Sequence, residues 1–340
     1  MSSPEDYIIP SVPEEVTAPD TSRFPIKRQL ALLGLILVAI FGTTMIPKFL
    51  MQTKETETKT APSAPLVTLD ETIKTIPTLE DITTLGQAAY VYDVRTKRAL
   101  YSKNADTVLP LASITKLMTA LIARELVASD KTIVVPKAAI SQSGSSGLLE
   151  GERFTARTLA NYAVIASSND AAYALASAVG AVIDDTKNPN QTFVQAMNIR
   201  AQELGLSNLK FKNPTGLDVS PTEPGAVGNA REVSFLMEYI IQNYPDILEP
   251  TTDTSARMYN KDGAYHEAEN TNPIISKIPN LLGSKTGYTD LAGGNLTIAF
   301  DAGYNRPIIV TVLGSSYDGR FADVKKLVTA VTASLDAETK

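Results

Sequence analysis

The sequence predicts an α+β fold, with an antiparallel sheet covered by helices and an all-helical subdomain inserted in it. Three observations lead there. Residues 88–101 alternate into a tight hairpin, the middle of the chain is dominated by helix-length apolar runs, and the last hundred residues return to β-rich segments before a closing helix.

Taken in order, residues 1–28 begin with a stretch rich in Pro, Glu, Asp and Ser and end in the basic group Arg23, Lys27 and Arg28. They read as a disordered cytoplasmic tail. Residues 29–50 contain Leu30 to Ile46 without a charge. That run is just long enough for a transmembrane helix across a hydrocarbon core of ~30 Å. The basic group before it keeps the N-terminus cytoplasmic. Thr43-Thr44-Met45-Ile46-Pro47 supplies no small-residue cleavage pattern, which favours a retained single-pass anchor over a signal peptide. Residues 51–78, rich in Thr, Lys, Glu and Pro, read as an extracytoplasmic linker lifting a folded domain, 79–340, off the cell membrane.

Within that domain, residues 88–94 form a strand, 95–97 turn it and 99–101 return it. Pro110 marks the start of a long apolar helix from 113 to about 128. Further helices are predicted over 155–166, 170–179, 191–204 (stopped by Gly205) and 230–243. Strands follow at 295–300 and 307–313, then a last helix over 321–335.

Composition excludes several chemistries. The chain has 340 residues, 44% hydrophobic and 20% charged, enough for one large or two modest domains. A net charge of -6 leaves no basic surplus for nucleic acid. Without cysteine there are no disulfides, thiolate metal sites or thiol nucleophiles. The single histidine, His266, cannot build a multi-histidine zinc site. It lies in the polar segment Tyr265-His-Glu-Ala-Glu269, read as a solvent-facing hairpin that keeps it on the surface. A serine hydrolase built on this chain therefore needs another base.

Ser113 and Lys116 offer one. They stand three residues apart where the apolar run begins, so the two side chains are neighbours on a helix. The positive end of that helix and desolvation both lower a lysine pKa, and a neutral lysine can take a serine proton. S-x-x-K alone is a chance-level match, and Ser207-Asn-Leu-Lys210 repeats it in what reads as a turn. Two partners give the first copy weight. Ser167 and Asn169 form S-x-N between two predicted helices, where Asn169 or Asp170 could equally serve as a cap; Ser102-Lys-Asn104 is a second, weak match. Lys285-Thr286-Gly287, followed by Tyr288, is the sole K-T-G. By itself it could be a strand edge with a surface lysine, and its glycine lets a backbone approach closely.

The order S-x-x-K, S-x-N, K-T-G is that of the penicillin-binding and serine β-lactamase superfamily. From about 88 to 313 the chain resembles the low-molecular-mass D-alanyl-D-alanine carboxypeptidases of peptidase family S11, through "LPLASITKLMTAL", "SSNDAAYALA", "FKNPTGLD" and "GSKTGYTDLAGGNL". The resemblance implies a β-lactamase/transpeptidase-like fold and no metal or organic cofactor. It implies that Ser113 is acylated with Lys116 as general base, Ser167 relays a proton to the leaving amine, and Asn169 contacts the substrate amide. It further implies that Lys285 and Thr286 hold the substrate carboxylate and that the N–H groups of Ser113 and Tyr288 form the oxyanion hole. The partner would be a peptidoglycan stem peptide ending in D-Ala-D-Ala, with β-lactams as covalent inhibitors. About fifty residues after K-T-G leave room to finish the catalytic sheet but not for the C-terminal domain and amphipathic helix many relatives carry, so the N-terminal helix would replace that anchor. A D,D-endopeptidase, a class A-like β-lactamase and a non-catalytic penicillin-binding sensor share these motifs and stay open at this point.

Overall fold

The computed structural model describes residues 82–338 except Ser145 and Tyr304. The expected tail, transmembrane helix and linker, and the boundary at 79, lie outside those residues. Strands β1 (Ala88–Asp93) and β2 (Arg98–Lys103) form the predicted hairpin. After β3 (Leu109–Pro110) and a 3-10 turn (Ala112–Thr115) comes helix α1 (Lys116–Leu126). Then follow β4 (Thr132–Val134), α2 (Lys137–Ile140), β5 (Arg153–Thr155), α3 (Ala156–Ile165), α4 (Asn169–Ile183) and α5 (Pro189–Glu203). Short strands β6 (Lys210–Phe211) and β7 (Ala226–Gly228) lead to α6 (Ala230–Asn243) and the hairpin β8 (Ser255–Tyr259) and β9 (Tyr265–Glu269). Strands β10 (Leu281–Thr289), β11 (Gly293–Asp301) and β12 (Pro307–Ser315) precede helix α7 (Gly319–Glu338).

The main sheet is antiparallel throughout, in the order β10-β11-β12-β1-β2. Its two faces build two cores, because alternate residues of a strand point to opposite sides. Ala89 and Val91, with Ile298, Val310 and Val312, pack on Val324, Leu327 and Val331 of α7. Ala88, Tyr90 and Tyr92 point the other way, into a core shared with α6 and the helical subdomain of α1 and α3–α5. Every residue of α1 from Lys116 to Ala123 is buried, as expected of a helix apolar around its whole circumference.

Three sequence expectations change. The helix predicted from 113 begins as a 3-10 turn, because Ala112 adopts a left-handed backbone (φ +47) and the Thr115 hydroxyl donates to the Ala112 carbonyl (2.7 Å). Pro110 is not its start: it pairs with Val227 in a short edge strand. His266 does lie on a two-stranded hairpin, but it is half-buried rather than solvent-facing. Its Nε2 lies 2.9 Å from both oxygens of Glu152, and its ring stacks on Tyr162.

One buried ion pair ties the first hairpin to the sheet. Asp93 is fully buried; its Oδ2 accepts from Nε and Nη2 of Arg306 (2.7 Å each), and Oδ1 accepts from the N–H groups of Arg95 and Thr96. Removing the arginine strands a carboxylate in the interior. Arg306→Ala is expected to lower the free energy of unfolding by about 3–5 kcal/mol, read by denaturant titration; a loss under about 1 kcal/mol would show that the pair contributes little.

Candidate active site

The three motifs meet between the helical subdomain and the edge strand β10. Ser113 sits half-buried on the 3-10 turn, and Lys116 opens α1 with no accessible surface. The Lys116 Nζ lies 2.7 Å from Ser113 Oγ, 2.7 Å from Asn169 Oδ1 and 2.8 Å from the Thr215 carbonyl. Asn169 is oriented by its own amide, which donates to the Ser143 carbonyl (2.7 Å), so its oxygen faces the lysine. Burial, reinforced by the nearby Lys285 cation, holds the Lys116 amine well below the usual lysine range. A neutral amine has two N–H groups and one lone pair. Asn169 Oδ1 and the Thr215 carbonyl can only accept, so they take the N–H groups. The lone pair is left for the Ser113 hydroxyl.

The Ser167-Ser168-Asn169 stretch divides its work by position. Ser167 holds a left-handed backbone (φ +58), and its hydroxyl accepts from Lys285 Nζ (2.9 Å). Ser168, rather than Asn169 or Asp170, caps α4 by accepting from the Ala171 N–H (2.9 Å). Asn169 therefore serves the lysine and not the helix end.

On the opposite wall, Lys285 is 1% exposed and also donates to the Thr286 carbonyl (2.9 Å). Burial, with Arg320 as the neighbouring cation, lowers its amine to about 7. Gly287 is the contact with the nucleophile turn. A Cβ there would stand 2.8 Å from the Leu111 carbonyl oxygen and 3.2 Å from the Ser113 nitrogen, so only glycine lets β10 close up. Tyr288 is 46% exposed beyond it. A groove of about 1010 Å³ reaches the site at Thr215 and Tyr288 rather than at Ser113, running past Asn213, Asp218 and Tyr173.

All eight predicted residues thus lie in one constellation, and the decoys do not. Ser207, Lys210, Ser102 and Asn104 are exposed. Glu203, the glutamate a β-lactamase reading would need, is exposed at the end of α5 and pairs with Arg200. Sequence reasoning missed two contributors. Thr215 is set by Asn213, whose Oδ1 accepts from the Thr215 and Gly216 N–H groups (3.2 and 2.7 Å); the residue types of Asn213-Pro-Thr-Gly216 favour a turn but give no sign of a lysine contact. Arg320 donates to the Gly287 carbonyl (2.6 Å) with its guanidinium 4.6 Å from the Tyr317 and Phe321 rings. A polar helix start carries no sign of that role.

A serine held against a buried neutral lysine, with a second buried lysine facing it from a sheet edge, is the arrangement of the penicillin-binding class of serine enzymes. The chain belongs to the D-alanyl-D-alanine carboxypeptidase family, Peptidase S11, which it matches over residues 75–316. It is 32% identical to D-alanyl-D-alanine carboxypeptidase DacF of Bacillus subtilis over 72% of this chain, and spans 61% of that protein. It is 30% identical to a D-alanyl-D-alanine endopeptidase of Pseudomonas aeruginosa, over 74% of this chain and 81% of that one. Among solved structures it resembles penicillin-binding protein D2 of Listeria monocytogenes in its cefotaxime-bound form, with a TM-score of 0.63, 29% identity, and coverage of 74% of this chain and 98% of that one.

The Thr215 loop rests on one glycine. Gly216 has φ +79, and a Cβ on it would fall 1.9 Å from the Ala112 carbonyl oxygen. Gly216→Ala is expected to lower stability by at least about 1–2 kcal/mol from the left-handed backbone alone. It should also slow penicillin acylation by more than about tenfold, because displacing the loop removes one of the two acceptors that orient Lys116. Stopped acylation and denaturant titration read the two effects separately.

Proposed function

We propose that this protein is a serine-type D-alanyl-D-alanine carboxypeptidase that removes the terminal D-Ala from peptidoglycan stem pentapeptides. The observation that carries the reading is the position of Lys116 Nζ, 2.7 Å from Ser113 Oγ and held by two obligate acceptors, Asn169 Oδ1 and the Thr215 carbonyl, which leave the lone pair of a neutral amine for the serine. In this mechanism Ser113 Oγ attacks the carbonyl of the penultimate D-Ala while its proton passes to Lys116. The N–H groups of Ser113 and Tyr288 stabilise the oxyanion, a placement supported by the close approach of Gly287 to the Ser113 nitrogen. Ser167, bonded to Lys285, relays the proton taken up by Lys116 to the leaving amine, so that Lys116 is neutral again. The C–N bond breaks and D-Ala departs; water then attacks the ester carbonyl, the bond to Ser113 Oγ breaks with return of its proton, and the shortened peptide leaves as a carboxylic acid.

Lys285 and Thr286 hold the terminal carboxylate, and Asn169 contacts the substrate amide. Since β10 runs from Thr286 past Gly287 to Thr289, a peptide with its carboxylate at Thr286 and its carbonyl at the nucleophile sends its acyl portion towards Tyr288. That is where the groove begins. β-Lactams carry a carboxylate beside a reactive carbonyl and acylate the same serine. Exposed Glu203 disfavours a class A-like β-lactamase, and the intact nucleophile, base and carboxylate site disfavour a sensor that only binds.

Among the described residues no helix is long and apolar enough to cross a membrane. The uncharged run from Leu30 to Ile46 and the linker after it support single-pass anchoring, with the catalytic domain outside the cytoplasm.

Purified protein should release D-Ala from a pentapeptide faster than it cuts a crosslinked dimer, with both products identified by mass spectrometry. A preference for the dimer would reassign the protein as an endopeptidase. Penicillin should add one acyl group at Ser113, and Lys116→Ala should abolish the adduct while circular dichroism stays unchanged; acylation at the parent rate would remove Lys116 as the base. The pH profile follows from the two lysines. Lys116 must be neutral, so kcat/KM falls on the acid side as it protonates. Lys285 must be charged to hold a carboxylate, so kcat/KM falls as pH rises through about 7. In kcat that alkaline limb moves upward, because the bound carboxylate stabilises the cation. An alkaline limb identical in kcat and kcat/KM would contradict the assignment of Lys285.

A further inference from the structure

Thr271 belongs to none of the three motifs. It lies half-buried between β9 and β10, and it touches both walls of the cleft. Its backbone N–H donates to the Ile165 carbonyl (3.2 Å) at the end of α3, two residues before Ser167. Its hydroxyl oxygen lies 2.6 Å from that of Thr286. The segment around it is pinned. The Asn270 amide donates to the carbonyls of Thr251 and Asp253 (2.8 Å each), and its oxygen accepts from the Asn272 N–H (2.9 Å). Thr251 in turn accepts from the backbone N–H of Ser284 (2.9 Å), beside Lys285.

A threonine hydroxyl has one proton. If Thr286 spends it on a protein acceptor, none is left for a substrate carboxylate. We infer that Thr271 is a positioning residue for the carboxylate site: its hydroxyl donates to Thr286 Oγ1, fixes that side chain, and leaves the Thr286 proton for the terminal carboxylate of the substrate. This deepens the carboxypeptidase reading and rests on it. Two hydroxyls in series to an anion also polarise one another, which strengthens the outer bond. The backbone bond to Ile165 does not involve the side chain, so a shape-conserving substitution cuts only the arm to Thr286.

The full-length chain, Thr271→Val and Thr271→Ser are compared on a peptide ending in D-Ala-D-Ala. All three are also compared on acylation by benzylpenicillin and by its methyl ester, which lacks the charged carboxylate. For Thr271→Val, KM for the peptide should rise about tenfold, kcat should stay within about twofold, and the acid-over-ester acylation ratio should fall about tenfold. Thr271→Ser, which keeps the hydroxyl, should restore all three values to within about twofold. Equal losses for acid and ester would mean a general structural role and overturn the proposal. So would an unchanged ratio in Thr271→Val, or a serine variant that behaves like valine. A parent protein that acylates but releases no D-Ala would refute the carboxypeptidase reading, while the acid-over-ester ratio would still decide the role of Thr271.

Discussion

A lysine with no accessible surface and no carboxylate bonded to it constrains everything around this site. Burying a charged ammonium without a counter-ion costs several kcal/mol, so the amine is held neutral. Lys116 meets that constraint with neutral oxygens only: a serine hydroxyl, an asparagine amide and a backbone carbonyl. They come from the 3-10 turn, the start of α4 and the Asn213–Gly216 turn, so three separate parts of the helical subdomain must be in place before the lysine can act. The subdomain is built accordingly. α1 is buried on all sides from Lys116 to Ala123, α4 begins at the capped Asn169, and Gly216 allows its loop to approach the 3-10 turn.

That convergence is achieved through unusual backbone. Ala112 and Ser167, neither of them glycine, both adopt left-handed conformations, at φ +47 and +58. Each conformation costs of order 1–2 kcal/mol and persists only where surrounding contacts over-determine it. One sits directly before the nucleophile and the other is the serine bonded to Lys285. Ser113 lies on the 3-10 turn ahead of α1, and Ser167 lies just outside the cap that Ser168 provides. Local preference is thus overridden at two places in the candidate site.

These overrides mark the limit of what could be read from the sequence. The hairpin 88–101, the helices near 155, 170, 191 and 230 and the strands at 295 and 307 were legible, since each follows from periodicity and turn chemistry within its own segment. The motifs were legible because their residue types are chemically unusual in context, a lysine at the start of an apolar helix above all. The start of α1 was not, because nothing in its residue types announces that Ala112 turns left-handed, with its carbonyl accepting from the Thr115 hydroxyl. Nor were Thr215, Arg320 and Thr271, which act through a carbonyl, a contact with a carbonyl and a single hydroxyl. His266 was misplaced for a similar reason. Its own segment is polar, but Glu152 and Tyr162, more than a hundred residues earlier in the chain, draw it inward.

The two lysines also explain each other. Placed on opposite walls of a narrow cleft, they are not equivalent: burial and the Lys285 cation lower Lys116, while burial and Arg320 lower Lys285. Lys116, closed in by neutral acceptors, is depressed furthest. Lys285, lowered to about 7, stays within reach of protonation when an anion arrives. Two groups of one residue type thereby separate in proton affinity, with environment alone setting the difference, which suits the proposed roles of base and anion holder. By drawing a proton onto Lys285, a carboxylate entering beside Thr286 would create its own counter-ion, so the resulting ion pair adds no net charge facing Lys116 and leaves that amine neutral.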